Sequence, residues 1–240
     1  MNELTYTYDW YRGLLEQFSE AGYAFHHFDD GVPDEGILLR HDVDWSPEAA
    51  LEMARIESEL EISGTYFVLP TSSFYNPLAA ETRATLTEIS DLGHEIGLHF
   101  DTHTHFDAEP DLETLGHHVR QDRTIFEDRF ENVADTIAFH NPPDWVLGRR
   151  FEGFDHTYEP RFFDQTSYRG DSLGRWREEP LCESGFTEPM QLLVHPGLWG
   201  PEDAEPVDRV RTAQQEMVSR SDAEMTAHSP IDWSDATLDW

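Results

Sequence analysis

The chain has 240 residues, room for one large domain or two small ones, and 49 acidic residues against 16 basic ones leave a formal net charge of −33. Nucleic acid and anionic membrane surfaces are disfavoured as partners, because neutralising phosphate needs a basic face that this chain lacks. All 16 basic residues are arginine and none is lysine, a composition suited to a cytoplasm of very high salt, where the screening length is about 3 Å at 1 M and self-repulsion ceases to matter.

A mean hydropathy of −0.62 would also describe a disordered acidic chain, but 38% hydrophobic and 12% aromatic residues supply enough apolar surface for a core. The single cysteine, Cys182, rules out a disulfide framework and a cysteine-rich zinc module, so a metal site must use His, Asp and Glu. The first residues show no basic stretch followed by an apolar one, and no run approaches about 18 consecutive apolar residues. The expectation is a cytoplasmic protein with no membrane insertion.

Residues 8–21 carry apolar positions at helical spacing and Gly22 supplies a stop. Residues 37–43 (ILLRHDV) read as a strand, and Ser46-Pro47-Glu48 then opens a helix to about Leu60. A strand over 64–69, a helix over 78–92, a strand over 94–100 and a long amphipathic helix over 111–130 follow. Residues 135–139 and 191–194 read as further buried strands, residues 141–189 have no regular assignment, and an acidic helix over 207–225 leads into a polar tail from about 226 to 240. Strands separated by helices imply βαβ units, an α/β fold on a parallel sheet, and a single domain over 1–240.

Residues able to bind metal or move protons cluster at the C-terminal ends of these strands, the edge at which parallel α/β folds place their sites. Asp42 and Asp44 end the first, His99 and His103 the third, His140 the fourth and His195 the last. In RHDVD, alternation puts Arg40, Asp42 and Asp44 on one face, so both carboxylates reach one site. In GHEIGLHFDTHTH, His99 and His103 meet whether the segment stays extended or turns helical, and a carboxylate from RHDVD would complete a metal triad. His140 precedes a rigid loop because Pro142 forces Asn141 out of the helical region. His195 ends a buried strand that Pro196 stops, and YRGDSLGRW adds Arg169, Asp171 and Trp176.

These ordered motifs resemble the polysaccharide deacetylase family, the NodB-homology domain of carbohydrate esterase family 4, over residues 37–199. Gly93 to His103 is similar to the family's Gly-His-Glu-Ile-Gly-x-His with a second His four residues on, and Leu192 to His195 to its late Leu-x-x-His motif. The resemblance implies a distorted (β/α) barrel holding one divalent metal, usually zinc, with cobalt, nickel or manganese as alternatives, and removal of acetyl groups from a carbohydrate substrate. It implies Asp42 as general base, Asp44, His99 and His103 as metal ligands, and His195 as general acid. From their own positions, His140 and His195 are candidates for acid and base, and His140, Asn141, Pro142, Asp171 and Trp199 are expected on the substrate side. Two departures stand out. The family's adjacent Asp-Asp is here Asp42-Val43-Asp44, which leaves base and ligand interchangeable, and its Arg-Pro-Pro is His140-Asn141-Pro142-Pro143, which removes the arginine that orients the base. Arg169 is expected to replace that arginine.

Two rivals follow from the same residues. His99-Phe100-Asp101 with a distant His195 fits the facial triad of non-haem iron oxygenases, although its usual host is all-β. A non-catalytic carbohydrate-binding protein on the same barrel is the other, and the missing motif arginine is its support. Trp45, Tyr75, Trp145, Trp176 and Trp199 lie near strand ends, where they could stack on a sugar ring or pack the core.

Overall fold

The computed structural model describes residues 3–179, 181 and 189–228. Cys182 and the tail over 229–240 lie outside the described residues. The strands are β1 (Phe25–His26), β2 (Ile37–Val43), β3 (Thr65–Val68), β4 (Glu95–Asp101), β5 (Ala138–His140), β6 (Ser167–Gly170) and β7 (Met190–Val194). The α-helices are α1 (Tyr8–Glu20), α2 (Pro47–Glu59), α3 (Ala80–Asp91), α4 (Thr102–His105), α5 (Leu112–Glu127), α6 (Pro160–Phe163) and α7 (Pro206–His228). Every strand pairing is parallel, in the order β5-β4-β3-β2-β7-β6, with β1 beside the lower end of β2. Among the described residues no helix is long and apolar enough to cross a membrane.

The expected elements form where sequence signals are strong. Thr7 caps α1, Ser46 caps α2 with Pro47 in its first turn, and Asp111 caps α5, each side chain accepting from a backbone N–H. The fourth expected strand, over 135–139, forms instead at Ala138–His140, and the unassigned stretch supplies β6. β6 has only four residues, none fully apolar-patterned, so no hydrophobic run announces it.

Alternation along β2 divides the molecule. Ile37, Leu39 and Val43 face outward onto helices, whereas Leu38 packs with Phe28, Phe67, Ala138 and Phe162 inside the curled sheet. The interior is narrow: a Cβ on Gly97 would lie 2.5 Å from the Phe67 ring. The gap between β5 and β6 is filled by residues 155–163. The Ile137 N–H donates to the Asp155 carbonyl and the Ile137 carbonyl accepts from the Thr157 N–H, and Gln191 Nε2 donates to the Thr157 and Phe162 carbonyls. The architecture is a distorted, incompletely closed (β/α) barrel.

Outside the barrel, α2 buries a carboxylate. Glu57 Oε1 lies 2.9 Å from His41 Nε2 and accepts from Tyr11 Oη at 2.6 Å, while His94 Nδ1 is 3.5 Å from Oε2. Burial alone would raise the Glu57 carboxyl; His41, His94 and Tyr11 outweigh it and hold it below its ordinary 4.5. This stabilisation is complete above pH 4.5 and is lost as pH falls through the lower folded value. His94 is held below 6.5, chiefly by burial, so its protonation works in the same direction. Glu57→Ala is expected to remove about 3–5 kcal/mol at neutral pH by leaving the cluster without its carboxylate. Urea midpoints at pH 7 and pH 4 check this, because the deficit should shrink at the lower pH.

Candidate active site

At the C-terminal mouth of the barrel three donor atoms form a nearly equilateral triangle. Asp44 Oδ1 is 3.3 Å from His99 Nε2 and 3.3 Å from His140 Nδ1, and the two nitrogens are 3.3 Å apart. Two oxygen or nitrogen ligands at about 2.0–2.1 Å from a tetrahedral ion stand about 3.3–3.4 Å apart, so the spacing fits one small divalent cation. Asp44 Oδ1 is buried without a well-formed hydrogen bond, as expected of an oxygen whose partner is an ion. His99 Nδ1 lies 3.2 Å from the Ala138 carbonyl, which it serves as donor, leaving the Nε2 lone pair aimed into the triangle. His140 Nε2 lies 2.9 Å from the Asn141 amide, and turning that amide so that its oxygen accepts frees the Nδ1 lone pair likewise. Asn141 itself sits at φ 43, outside the right-handed helical region. The residues present fit a divalent metal.

Strand register assembles the triangle. His99 pairs with Ala138 and Asp101 with His140, so His99 and His140 face inward from adjacent strands, and Asp44 arrives from the turn after β2. Burial would raise the Asp44 carboxyl, but His140 and His99 hold it far below the ordinary carboxylate range.

On one flank stands Asp42, buried and gripped by Arg40, whose Nε and Nη2 donate to its two oxygens at 2.7 Å each. The bidentate fork is made possible by their i, i+2 spacing on one strand face. Arg40 is itself wholly buried; Nη1 donates to Gln191 Oε1, Nη2 to Tyr158 Oη, and its guanidinium lies over the Tyr158 ring at 4.8 Å. Burial would raise Asp42, and Arg40 with His99 more than reverses this, so the carboxylate is ionised. Its Oδ2 lies 3.5 Å from His99 Nε2, beside the triangle and outside it.

On the other flank His195 Nδ1 lies 2.6 Å from Asp171 Oδ1, and its Nε2 is 4.0 Å from Asp44 Oδ2. Asp171 is fully buried and also accepts from the His195 backbone N–H and from Trp199 Nε1 at 2.9 Å. Burial would lower the His195 imidazole, but the Asp171 carboxylate raises it to about 9, so it carries a proton at neutral pH.

Several expected site residues fall elsewhere. His103 lies on α4, exposed, with Nε2 3.1 Å from the Asn141 carbonyl, so His140 takes the corner that His103 was expected to hold. Arg169 is exposed and does not orient Asp42: it pairs in register with Leu192, an outward-facing residue, so its side chain points away from the barrel interior. Arg40 occupies its expected place, and the signal was present in Arg-His-Asp, two residues apart on one face. Trp199 and Trp176 are buried in the outer core and cannot stack on a sugar. Asp171 binds His195 and is closed to substrate, while Pro142 is half-buried in the loop after His140. Asp101 caps α4 by accepting from the His103 backbone N–H, which removes it from any triad with His99 and His195.

No family model matches the chain, and no curated protein matches it. Solved structures do. A carbohydrate esterase family 4 enzyme from Streptococcus mutans aligns with a TM-score of 0.44 at 11% identity, over 86% of this chain and 91% of that one. A family 4 carbohydrate esterase from Bacillus anthracis aligns at 0.43 and 16%, over 88% and 86%. The catalytic domain of a peptidoglycan N-acetylglucosamine deacetylase from Eubacterium rectale aligns at 0.43 and 14%, over 80% and 90%.

Proposed function

We propose that this protein is a metal-dependent hydrolase that removes an acetyl group from an N-acetylated or O-acetylated sugar of a polysaccharide or glycoconjugate. One observation carries the reading: the Asp44–His99–His140 triangle stands between an Arg40-held carboxylate and an Asp171-held imidazole. The donor set of two imidazoles and one carboxylate suits zinc, with cobalt, nickel or manganese as alternatives. When bound, such an ion polarises a carbonyl and lowers the pKa of water towards 7.

The chain's own residues supply the proton movements. Asp42, ionised, accepts a proton from the attacking water, and Arg40 fixes the direction in which its lone pairs point. His195 Nε2 gives a proton to the departing nitrogen or oxygen, an essential step when the leaving group is an amine. Asp171 holds the ring by Nδ1 and keeps it charged, so that the proton is present when the carbon–nitrogen bond breaks. Base and acid thus act from opposite flanks of one carbonyl, an arrangement suited to hydrolysis of an amide or ester.

Elemental analysis of protein purified in high salt, followed by assay of acetate released from acetylated sugars, tests the reading. One tightly held divalent ion, lost in Asp44→Ala and His99→Ala, together with released acetate supports it. Protein that stays empty when offered zinc, cobalt or nickel, and releases no acetate, would instead be a carbohydrate-binding protein on this barrel. Asp171→Asn is expected to lower kcat by about 10²–10⁴-fold, the usual worth of a positioned general acid, while metal content is unchanged. Single-turnover acetate release measures it.

A further inference from the structure

A cavity of about 550 Å³ opens directly above the catalytic groups, with Asp44, Asn141 and His195 on its floor. Apart from Ser172, its walls are apolar: Trp45 from the turn after β2, Leu173 from the turn after β6, Leu198 after β7, and Pro206, Val207 and Val210 from the first turns of α7. This is the range in which whole small molecules are bound, many times what the methyl of an acetyl group would fill.

Two features show that the apolar walls are held in place at a cost. Leu173 is 93% exposed and Val207 is 54% exposed, in a chain whose formal charge is −33. Leu173 also sits at φ 56, ψ 24, in the left-handed region that bulky apolar residues avoid. Asparagine or glycine would be comfortable there, so leucine carries both backbone strain and exposure of its side chain. The neighbouring Gly174 is also left-handed, and a Cβ on it would lie 3.0 Å from Pro206, which fastens this turn against α7. Trp45 is fixed in the same way, because its indole lies where a Cβ of Gly197 would be, 2.1 Å from Nε1.

A site for sugar hydroxyls alone would be walled by carboxylates, amides and aromatic faces; this wall is mainly aliphatic. Resting on the hydrolase reading above, we infer that the substrate carries an apolar group next to the scissile linkage, and that this group lies in the cavity walled by Leu173, Leu198 and α7. The group is either an alkyl aglycone of an acetylated sugar or an acyl chain that takes the place of acetyl, which keeps the hydrolysis and releases a longer carboxylate; both share one recognition chemistry, burial of methylenes.

The test uses the full chain loaded with zinc and two substrate series. One varies the acyl group of glucosamine from acetyl through butyryl to hexanoyl, and the other varies the aglycone of N-acetylglucosamine from methyl through hexyl to octyl. Calorimetric Kd values are measured beside kcat/KM. In one series affinity and kcat/KM are expected to rise about fourfold per methylene until the cavity is full. The series that shows the rise identifies the source of the apolar group. Leu173→Asn and Val207→Ser should flatten the dependence, and because Leu173→Asn relieves the left-handed strain, its thermal midpoint should be at least that of the parent. Chain-length-independent Kd and kcat/KM in both series, with acetate still released from the methyl glycoside, would overturn the inference and leave the hydrolase reading standing. Tight octyl glycoside binding that both variants weaken, without release of acetate, butyrate or hexanoate from any substrate, would keep the apolar subsite and overturn the hydrolase reading. Absence of chain-length-dependent binding and of turnover together would overturn both.

Discussion

Replacing His140 with alanine is expected to empty the metal site, whereas His103→Ala is expected to leave it filled. Three donors 3.3 Å apart fit one ion, and removing His140 leaves only Asp44 and His99 to hold it. Zinc affinity should fall by more than the 10–100-fold that loss of a supporting outer partner costs. His103 is such an outer group: its ring meets the Asn141 carbonyl, and the Asn141 side chain meets His140 Nε2. Its removal should therefore stay within that range. Zinc content after dialysis against a graded series of chelators measures both variants, and Asp42→Asn serves as a control that should retain the ion. A His103→Ala protein that loses zinc as readily as His140→Ala would restore the pair spaced four residues apart as the ligand set.

The contrast between these histidines shows how much of the site was legible in the chain. His99 and His103 carry a local pattern that works for a strand or a helix, so sequence reasoning joins them. The partnership of His99 with His140 depends on the register between β4 and β5, 41 positions apart, and on β5 beginning at Ala138, three residues later than its apolar run suggested. Register is set by how a whole sheet packs, and no short motif records it. The helices with strong caps, α1, α2 and α5, were legible from their capping residues, and strands β2, β3, β4 and β7 because each is buried and contains a short run rich in apolar residues. β6 was not, since its residues are partly exposed and too few to show alternation. Arg169 illustrates the consequence. Without β6, nothing in YRGDS tells which way Arg169 faces, whereas the two-residue spacing of Arg40 and Asp42 could be read from the strand alone. His195 and Asp171 were legible as chemistry but not as a pair, because 24 residues that include a turn and β7 separate them.

Arg40→Met is expected to be the most destabilising single change at the site, by about 3–5 kcal/mol, because it leaves the buried Asp42 carboxylate with no cation. Arg40 and Asp42 are both shielded from water and joined by two bonds of 2.7 Å, so each is tolerable only in the presence of the other. Arg40→Met combined with Asp42→Asn should recover most of the loss, since the uncompensated charge is then gone, and the double-mutant cycle isolates the pair's coupling. Zinc binding should survive in all three proteins, as neither residue is a corner of the triangle. Arg40→Lys separates stability from positioning: it keeps the charge but loses the planar fork that fixes both carboxylate oxygens. With Asp42 as the base, Arg40→Lys is expected to hold zinc at parental affinity and KM within a few-fold, while kcat falls because the base no longer points in one direction. Urea midpoints, zinc content and the division of the loss between kcat and KM measure these outcomes. An Arg40→Lys protein with parental kcat would make the fork structural only, and would show that Asp42 acts without being oriented by it.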